Sequence, residues 1–168
     1  MTPGRIIFLN GTSSAGKSTL ARALRDQLDE PFCYYASDQL ADEGFRPPSP
    51  GQRAEGRERF FEGFHRSIPA FAAAGNDLII EHIVEQPSWA DLLATLTAGL
   101  DVFWVGVHAP LAVLEQRERD RGNRQPGEAA YHLKTHQYCR YDFEVDTTTG
   151  PIDAIARDIA TAWRQRPA

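Results

Sequence analysis

The sequence predicts an α/β protein with a mostly parallel sheet and helices on both of its faces. Short apolar runs alternate with helix-period segments along the chain. The runs Leu78-Ile79-Ile80 and Val102-Phe103-Trp104-Val105 stay apolar without alternation, as strands do when helices cover both sides. A glycine-rich turn, placed after the first apolar run and before a helix-forming segment, completes the pattern.

Strands are expected at Arg5 to Asn10, Phe32 to Ala36, Asp77 to Glu81 and Asp101 to Val107, with a weaker fifth at Phe143 to Asp146. Between them, Phe60, Phe61, Phe64, Ile68 and Phe71 recur at helical spacing, as do Ile152, Ile155, Ile159 and Trp163. Both sets read as core-facing stripes. Leu92, Leu93 and Leu96 after Trp89, and Leu111 and Leu114 after Pro110, mark two further helices. Pro110 and Pro151 suit the first turn of a helix. From Asp42 to Gln52, Pro47, Pro48, Pro50, Gly44 and Gly51 predict an irregular loop, since proline density breaks a continuing helix. Such a loop is either a connector or a substrate-facing segment.

The 168 residues fit one domain over 1–168, large enough to bury a core. A formal net charge of -5 argues against a surface for long nucleic acid, which relies on many cationic contacts to phosphate. Cys33 and Cys139 lack zinc-site spacing and are too few for a disulfide scaffold. No apolar run approaches the roughly 20 residues that span a bilayer. With no signal-peptide core at the start, the expectation is a cytoplasmic protein with neither a nucleic-acid nor a membrane partner.

Gly11-Thr12-Ser13-Ser14-Ala15-Gly16-Lys17-Ser18 fits the phosphate-binding pattern G-x-x-x-x-G-K-[ST], the Walker A or P-loop. Its glycines let successive N–H groups turn inward toward phosphate oxygens, and the following helix adds its positive end. Lys17 supplies a charge for the β- and γ-phosphates, and Ser18 is the expected magnesium ligand with Thr19 beside it. The expected class is therefore a P-loop NTPase that uses ATP and Mg2+.

Glu81 ends the third strand, where P-loop proteins keep an acid for the magnesium or its water shell; it also reads as a plain boundary residue. Arg117, Arg119, Arg121 and Arg124 fall within eight positions around Gly122. They suit an arginine-rich lid over about residues 117–127 that neutralises the transferring phosphoryl group. The competing reading is a solvated helix laced by pairs such as Glu115 with Arg119. Asp38 follows the second strand, facing the crevice of an open α/β sheet. Either it accepts the proton of an acceptor hydroxyl, or Ser37 or Asp38 caps a helix from Gln39.

Together these residues resemble the chloramphenicol phosphotransferase-like family of small P-loop kinases. The likeness covers most of the chain, and it is carried by Leu9-Asn10-Gly11 with Ser13 to Ser18, Leu100-Asp101-Val102 with Trp104 to Val107, Arg121 to Arg124, and Tyr141-Asp142 with Glu144 to Thr147. The resemblance implies a nucleoside-monophosphate-kinase-like fold and phosphorylation of a small-molecule hydroxyl, an antibiotic among the candidates, with Asp38 as base. It singles out Arg117, Arg121 and Arg124 as the inward arginines. His136 matches a family histidine and otherwise reads as an ordinary helix residue.

Between Gln39 and Ile68 the chain departs from the family pattern. There Arg53, Arg57 and Arg59 open an alternative: a kinase of a nucleotide or central metabolite whose anionic acceptor these cations clamp. A third reading is a switch module that hydrolyses ATP slowly.

Overall fold

The computed structural model describes residues 2–122 and 126–166. Five strands, β1 (Ile6–Asn10), β2 (Cys33–Ala36), β3 (Leu78–His82), β4 (Val102–His108) and β5 (Phe143–Asp146), pair in the order β2-β3-β1-β4-β5. Every pairing is parallel. The connecting helices are α1 (Lys17–Gln27), α2 (Ser37–Leu40), α3 (Pro50–Ala73), α4 (Pro87–Leu96), α5 (Leu111–Arg121), α6 (Glu128–His132) and α7 (Ile152–Gln165).

Strand β1 shows why the sheet carries helices on two sides. All five of its residues are buried, and the period of two sends Ile7 and Leu9 into one layer and Ile6 and Phe8 into the other. The first layer packs Leu20 and Leu24 of α1 with Ile155, Ile159 and Trp163 of α7. The second packs Phe61, Phe64 and Ile68 of α3 with Trp89 and Leu93 of α4. Each such side chain contributes roughly 1.5–3 kcal/mol by leaving water. The chain leaves β1 at the point where its neighbours are β3 on one side and β4 on the other. This switch point opens a crevice at the carboxyl ends of the strands.

Four local expectations change. Pro50, Gly51 and Gln52 belong to α3, not to an irregular loop, because Ser49 accepts a hydrogen bond from the Gln52 amide and Pro50 starts the helix, as a first-turn proline favours. The irregular part is the turn Ala41–Phe45, broken at Glu43 and Gly44, and the short stretch after it. Pro110 and Pro151 sit one step earlier than expected, as extended residues preceding α5 and α7. Phe71 is 47% exposed, at the margin of the covered face whose neighbours Ile68 and Ala72 are fully buried, and its ring rests against Tyr35.

Candidate active site

The glycine-rich turn between β1 and α1 lies at the switch point. A side chain at Gly11 would place its Cβ 2.3 Å from the Val107 carbonyl oxygen, so only glycine lets the loop pass this close to β4. Ser14 (φ 62°) and Gly16 (φ 94°) both adopt left-handed backbone, which folds the loop into a concave ring of amides. The hydroxyls of Ser13 and Ser14 are buried without a hydrogen-bond partner. Buried polar atoms of that kind are costly unless a ligand satisfies them. The Lys17 ammonium is buried and donates to the carbonyls of Gly11 and Thr12, each at 2.9 Å, which holds it under the loop. Thr19 points to solvent from α1.

The two predicted metal ligands meet. Ser18 donates to Glu81 at 2.8 Å, and the Tyr34 hydroxyl donates to the other carboxylate oxygen. Burial, and then the Glu81 charge, raise the Tyr34 phenol well above its ordinary range, so it stays a donor. Among the described residues no group of three His, Cys, Asp or Glu side chains forms a metal cage. One hydroxyl beside one carboxylate suits magnesium, which keeps several waters and takes further oxygens from phosphates. The donor set and the orphaned serines therefore fit a magnesium–nucleotide complex.

Helix α5 brings two arginines to the loop from one face. The Arg117 guanidinium donates to Thr147 at 2.9 Å and to the carbonyls of Ser14 and Ala15 at 3.3 Å. Thr147 in turn donates to the Ala15 carbonyl at 2.7 Å. One turn later Arg121 lines the crevice with Lys17, Ser18, Asp38 and Glu81. Arg124 lies outside the described residues. The expected Glu115–Arg119 pair is replaced by Arg119 bonded to Gln116 and Gln116 to Asp120. The solvated side of α5 is thus separate from the face bearing Arg117 and Arg121.

Asp38 is exposed in the first turn of α2. The cap reading does not hold: the residue before α2 is Ala36, and no side chain caps the helix. The Ser37 hydroxyl is instead 3.1 Å from His82 Nδ1. Of the three arginines expected to clamp an anion, Arg57 alone lines the crevice, joined there by Arg46. Arg53, one turn before Arg57 on α3, and Arg59, on another face, are both exposed and do not line the crevice. Arg57 is already paired with Glu85 at 2.5 Å, and the same carboxylate lies 3.7 Å from His132 Nε2.

Several site-building residues escape sequence reasoning. Asn10 is fully buried and donates to the Tyr141 hydroxyl at 2.7 Å while accepting from the Val84 amide and the Thr135 hydroxyl at 3.0 Å. It ties β1 to the segments after β3 and before β5. The Tyr141 hydroxyl is also 2.8 Å from His136 Nδ1, so the family histidine supports this junction; burial, then His108, push it down to about 4. Glu118, 5% exposed, accepts from the amides of Gly127 and Ala129 at 2.9 and 2.7 Å. Thr12 donates to the Ala129 carbonyl at 2.5 Å. The start of α6 is therefore bound both to α5 and to the phosphate loop. The available signals for these residues were Asn10, directly before the first glycine of the motif, and the family matches at His136 and Tyr141.

A phosphate-cradling loop at the switch point of a parallel sheet, with a hydroxyl–carboxylate pair beside it and an arginine from a following helix, defines a P-loop kinase, a phosphotransferase that acts on small molecules. The chain belongs to the chloramphenicol phosphotransferase-like protein family, which matches residues 4–164. It is 29% identical over 192 residues to "Putative O-phosphotransferase Rv2636" of Mycobacterium tuberculosis (strain H37Rv), covering 99% of this chain and 85% of that protein. The Mycobacterium tuberculosis APS kinase CysC, solved with AMPPNP and APS, has the same fold, with a TM-score of 0.71, 20% identity, and coverage of 98% of this chain and 100% of that one. Shikimate kinase from Acinetobacter baumannii aligns with a TM-score of 0.68 at 17% identity, over 97% of this chain and 94% of that one. No helix among the described residues is long and apolar enough to cross a membrane.

Proposed function

We propose that the protein transfers the γ-phosphoryl group of ATP, with magnesium, to a hydroxyl of an uncharged small molecule. The observation that carries this reading is the convergence of Lys17, Ser18, Asp38, Glu81 and Arg121 on one crevice. The loop from Gly11 to Thr19 holds the phosphates, Arg117 braces it from α5, and Ser18 with Glu81 holds the metal. Bound magnesium neutralises phosphate charge. Asp38 takes the proton of the attacking hydroxyl, while Lys17 and Arg121, joined by Arg124 from the lid, stabilise charge on the transferring group.

The cations on the acceptor side favour an acceptor without strong negative charge, although Arg46 lines the crevice there beside Arg57. A clamp of Arg53, Arg57 and Arg59 does not assemble, and Arg57 is neutralised by Glu85. Hydroxylated antibiotics fit this class on family grounds, while the departure between Gln39 and Ile68 sets the acceptor apart from chloramphenicol itself. The test is a γ-labelled ATP transfer screen against hydroxylated antibiotics, sugars and nucleosides, with phosphorylated and carboxylated metabolites as a second panel. Label should move to an uncharged hydroxyl compound. Release of inorganic phosphate alone, whatever is added, would contradict the phosphotransferase reading, and transfer only to the anionic panel would contradict the acceptor class.

A further inference from the structure

Beside the crevice, a chain of polar groups runs inward from its wall and has no part in holding phosphate or metal. Ser37, 5% exposed, lines the crevice next to Asp38. Its hydroxyl meets His82 Nδ1 at 3.1 Å, and His82 Nε2 meets His65 Nε2 at 2.9 Å. The two imidazoles are 2% and 0% exposed. His82 stacks on Trp89 at 5.6 Å and faces Phe61 and Phe64. Two buried imidazoles in an aromatic box are costly relative to apolar side chains, so the chain calls for a role at its open end.

The hydrogen positions follow from satisfaction. Both rings are enclosed among aromatic side chains and touch each other through Nε2, where a charge would be desolvated, so both are neutral. A contact between two Nε2 atoms needs one proton. If His82 supplied it, His65 would carry its own proton on Nδ1, which is buried without a partner, leaving an orphaned donor. If His65 supplies it, His65 Nδ1 is left as a bare lone pair, the cheaper of the two faults. His82 then carries its proton on Nδ1 and donates it to Ser37. The Ser37 oxygen is occupied as an acceptor, and its own proton is turned toward the crevice.

We infer that Ser37 is a specificity-determining donor to the acceptor molecule, held in that role by His82 and His65 as positioning residues. Ser37 would donate to an oxygen next to the reacting hydroxyl, whose proton Asp38 takes. The adjacent donor and acceptor read a hydroxyl that has a second oxygen beside it, as in a diol or a hydroxyl flanked by a carbonyl. This inference rests on the crevice being the phosphoryl-acceptor site.

The test has an arm that needs no acceptor. Long-range proton–nitrogen NMR of the protein labelled with 15N-histidine should show His82 protonated on Nδ1 and His65 on Nε2; the reverse tautomers overturn the inference. In the second arm, with an uncharged hydroxyl compound that accepts label in the transfer screen, Ser37→Ala should raise the KM for that compound about five- to tenfold and leave the KM for ATP within about twofold. His82→Phe fills the space but cannot donate, and should behave like Ser37→Ala. His82→Asn leaves a cavity but can place an amide nitrogen where Nδ1 stood, and should recover most of the acceptor affinity. A merely structural role predicts the opposite order, with Asn the worse variant, and that order overturns the inference. Should no compound accept label, the phosphotransferase reading fails on its own, while the tautomers still decide which way the Ser37 proton points.

Discussion

Replacing Glu118 with alanine should loosen the segment that follows the arginine helix, by an amount the geometry allows to be estimated. The carboxylate is buried and accepts two backbone amides, Gly127 at 2.9 Å and Ala129 at 2.7 Å. Hydrogen bonds to a charged group contribute about 1.5–3 kcal/mol each, and an amide left buried and unpaired loses that in full. Gly127 is exposed, so water can replace its partner at little cost. Ala129 is fully buried and cannot recover one. The expected loss in Glu118→Ala is therefore about 2–4 kcal/mol. Glu118→Gln keeps one acceptor oxygen but turns an amide donor toward the other N–H, and should lose about half as much. Because the Ala129 carbonyl also holds Thr12, the loosening reaches the phosphate loop. Urea unfolding with an unchanged m-value measures the global part, and hydrogen exchange at the Ala129 amide measures local opening. A Glu118→Ala protein within about 0.5 kcal/mol of wild type, with an equally protected Ala129 amide, would refute the reasoning.

Lys17→Ala should abolish transfer, because the ammonium beneath the loop is the charge nearest the β–γ bridge; a wild-type rate in a label-transfer assay would remove the assignment of the loop. Arg121→Ala should lower turnover more than ATP affinity, since a lid cation acts chiefly on charge that develops in the transition state, and equal losses in both would point to ground-state binding. Acid stability should depend on the buried imidazoles. His65 titrates at about 4 in the fold against an ordinary 6.5, so between those values the unfolded chain binds a proton that the native state does not. Stability is full above about pH 6.5 and falls as the pH drops toward 4. In a thermal-unfolding series His65→Phe should flatten this slope, and an unchanged slope would show that the imidazole is not kept neutral by the fold.

The strands were legible because both faces of the sheet are covered, which removes alternation from β1, β3 and β4 and leaves plain apolar runs. The phosphate loop was legible because its letters and its strand–helix context agree; the expected strand end at Glu81 falls one residue short, as β3 runs to His82. The start of α3 was not, since proline both breaks helices and opens them, and only the Ser49 cap decides between the two at Pro50. Nor could local spacing show that Arg57, and neither Arg53 nor Arg59, faces the crevice, because the tilt of α3 on the sheet sets that. Contacts such as Thr12 with Ala129, Ser37 with His82 and Asn10 with Thr135 join residues far apart in the chain. They follow from the strand order rather than from any short motif. Glu118 shows the limit most clearly: in a run of charges it looks solvated, yet it is the one carboxylate of that run that folds inward.

Asp38 bears most directly on the account, because it separates a kinase with a dedicated base from a nucleotide binder. Asparagine keeps the size of the side chain at an exposed position, so the fold and the phosphate loop should be unaffected. It cannot take a proton, and a positioned general base contributes about 10² to 10⁴ in rate. A loose transition state asks less of its base, which argues against complete loss. The measurement is steady-state transfer by Asp38→Asn to a hydroxyl compound identified in the screen, with ATP binding followed by calorimetry in the same preparation. The account predicts unchanged thermal stability, near-normal ATP binding and a turnover lowered by at least about a hundredfold. Turnover within about threefold of wild type would contradict it and leave Asp38 as a positioning group.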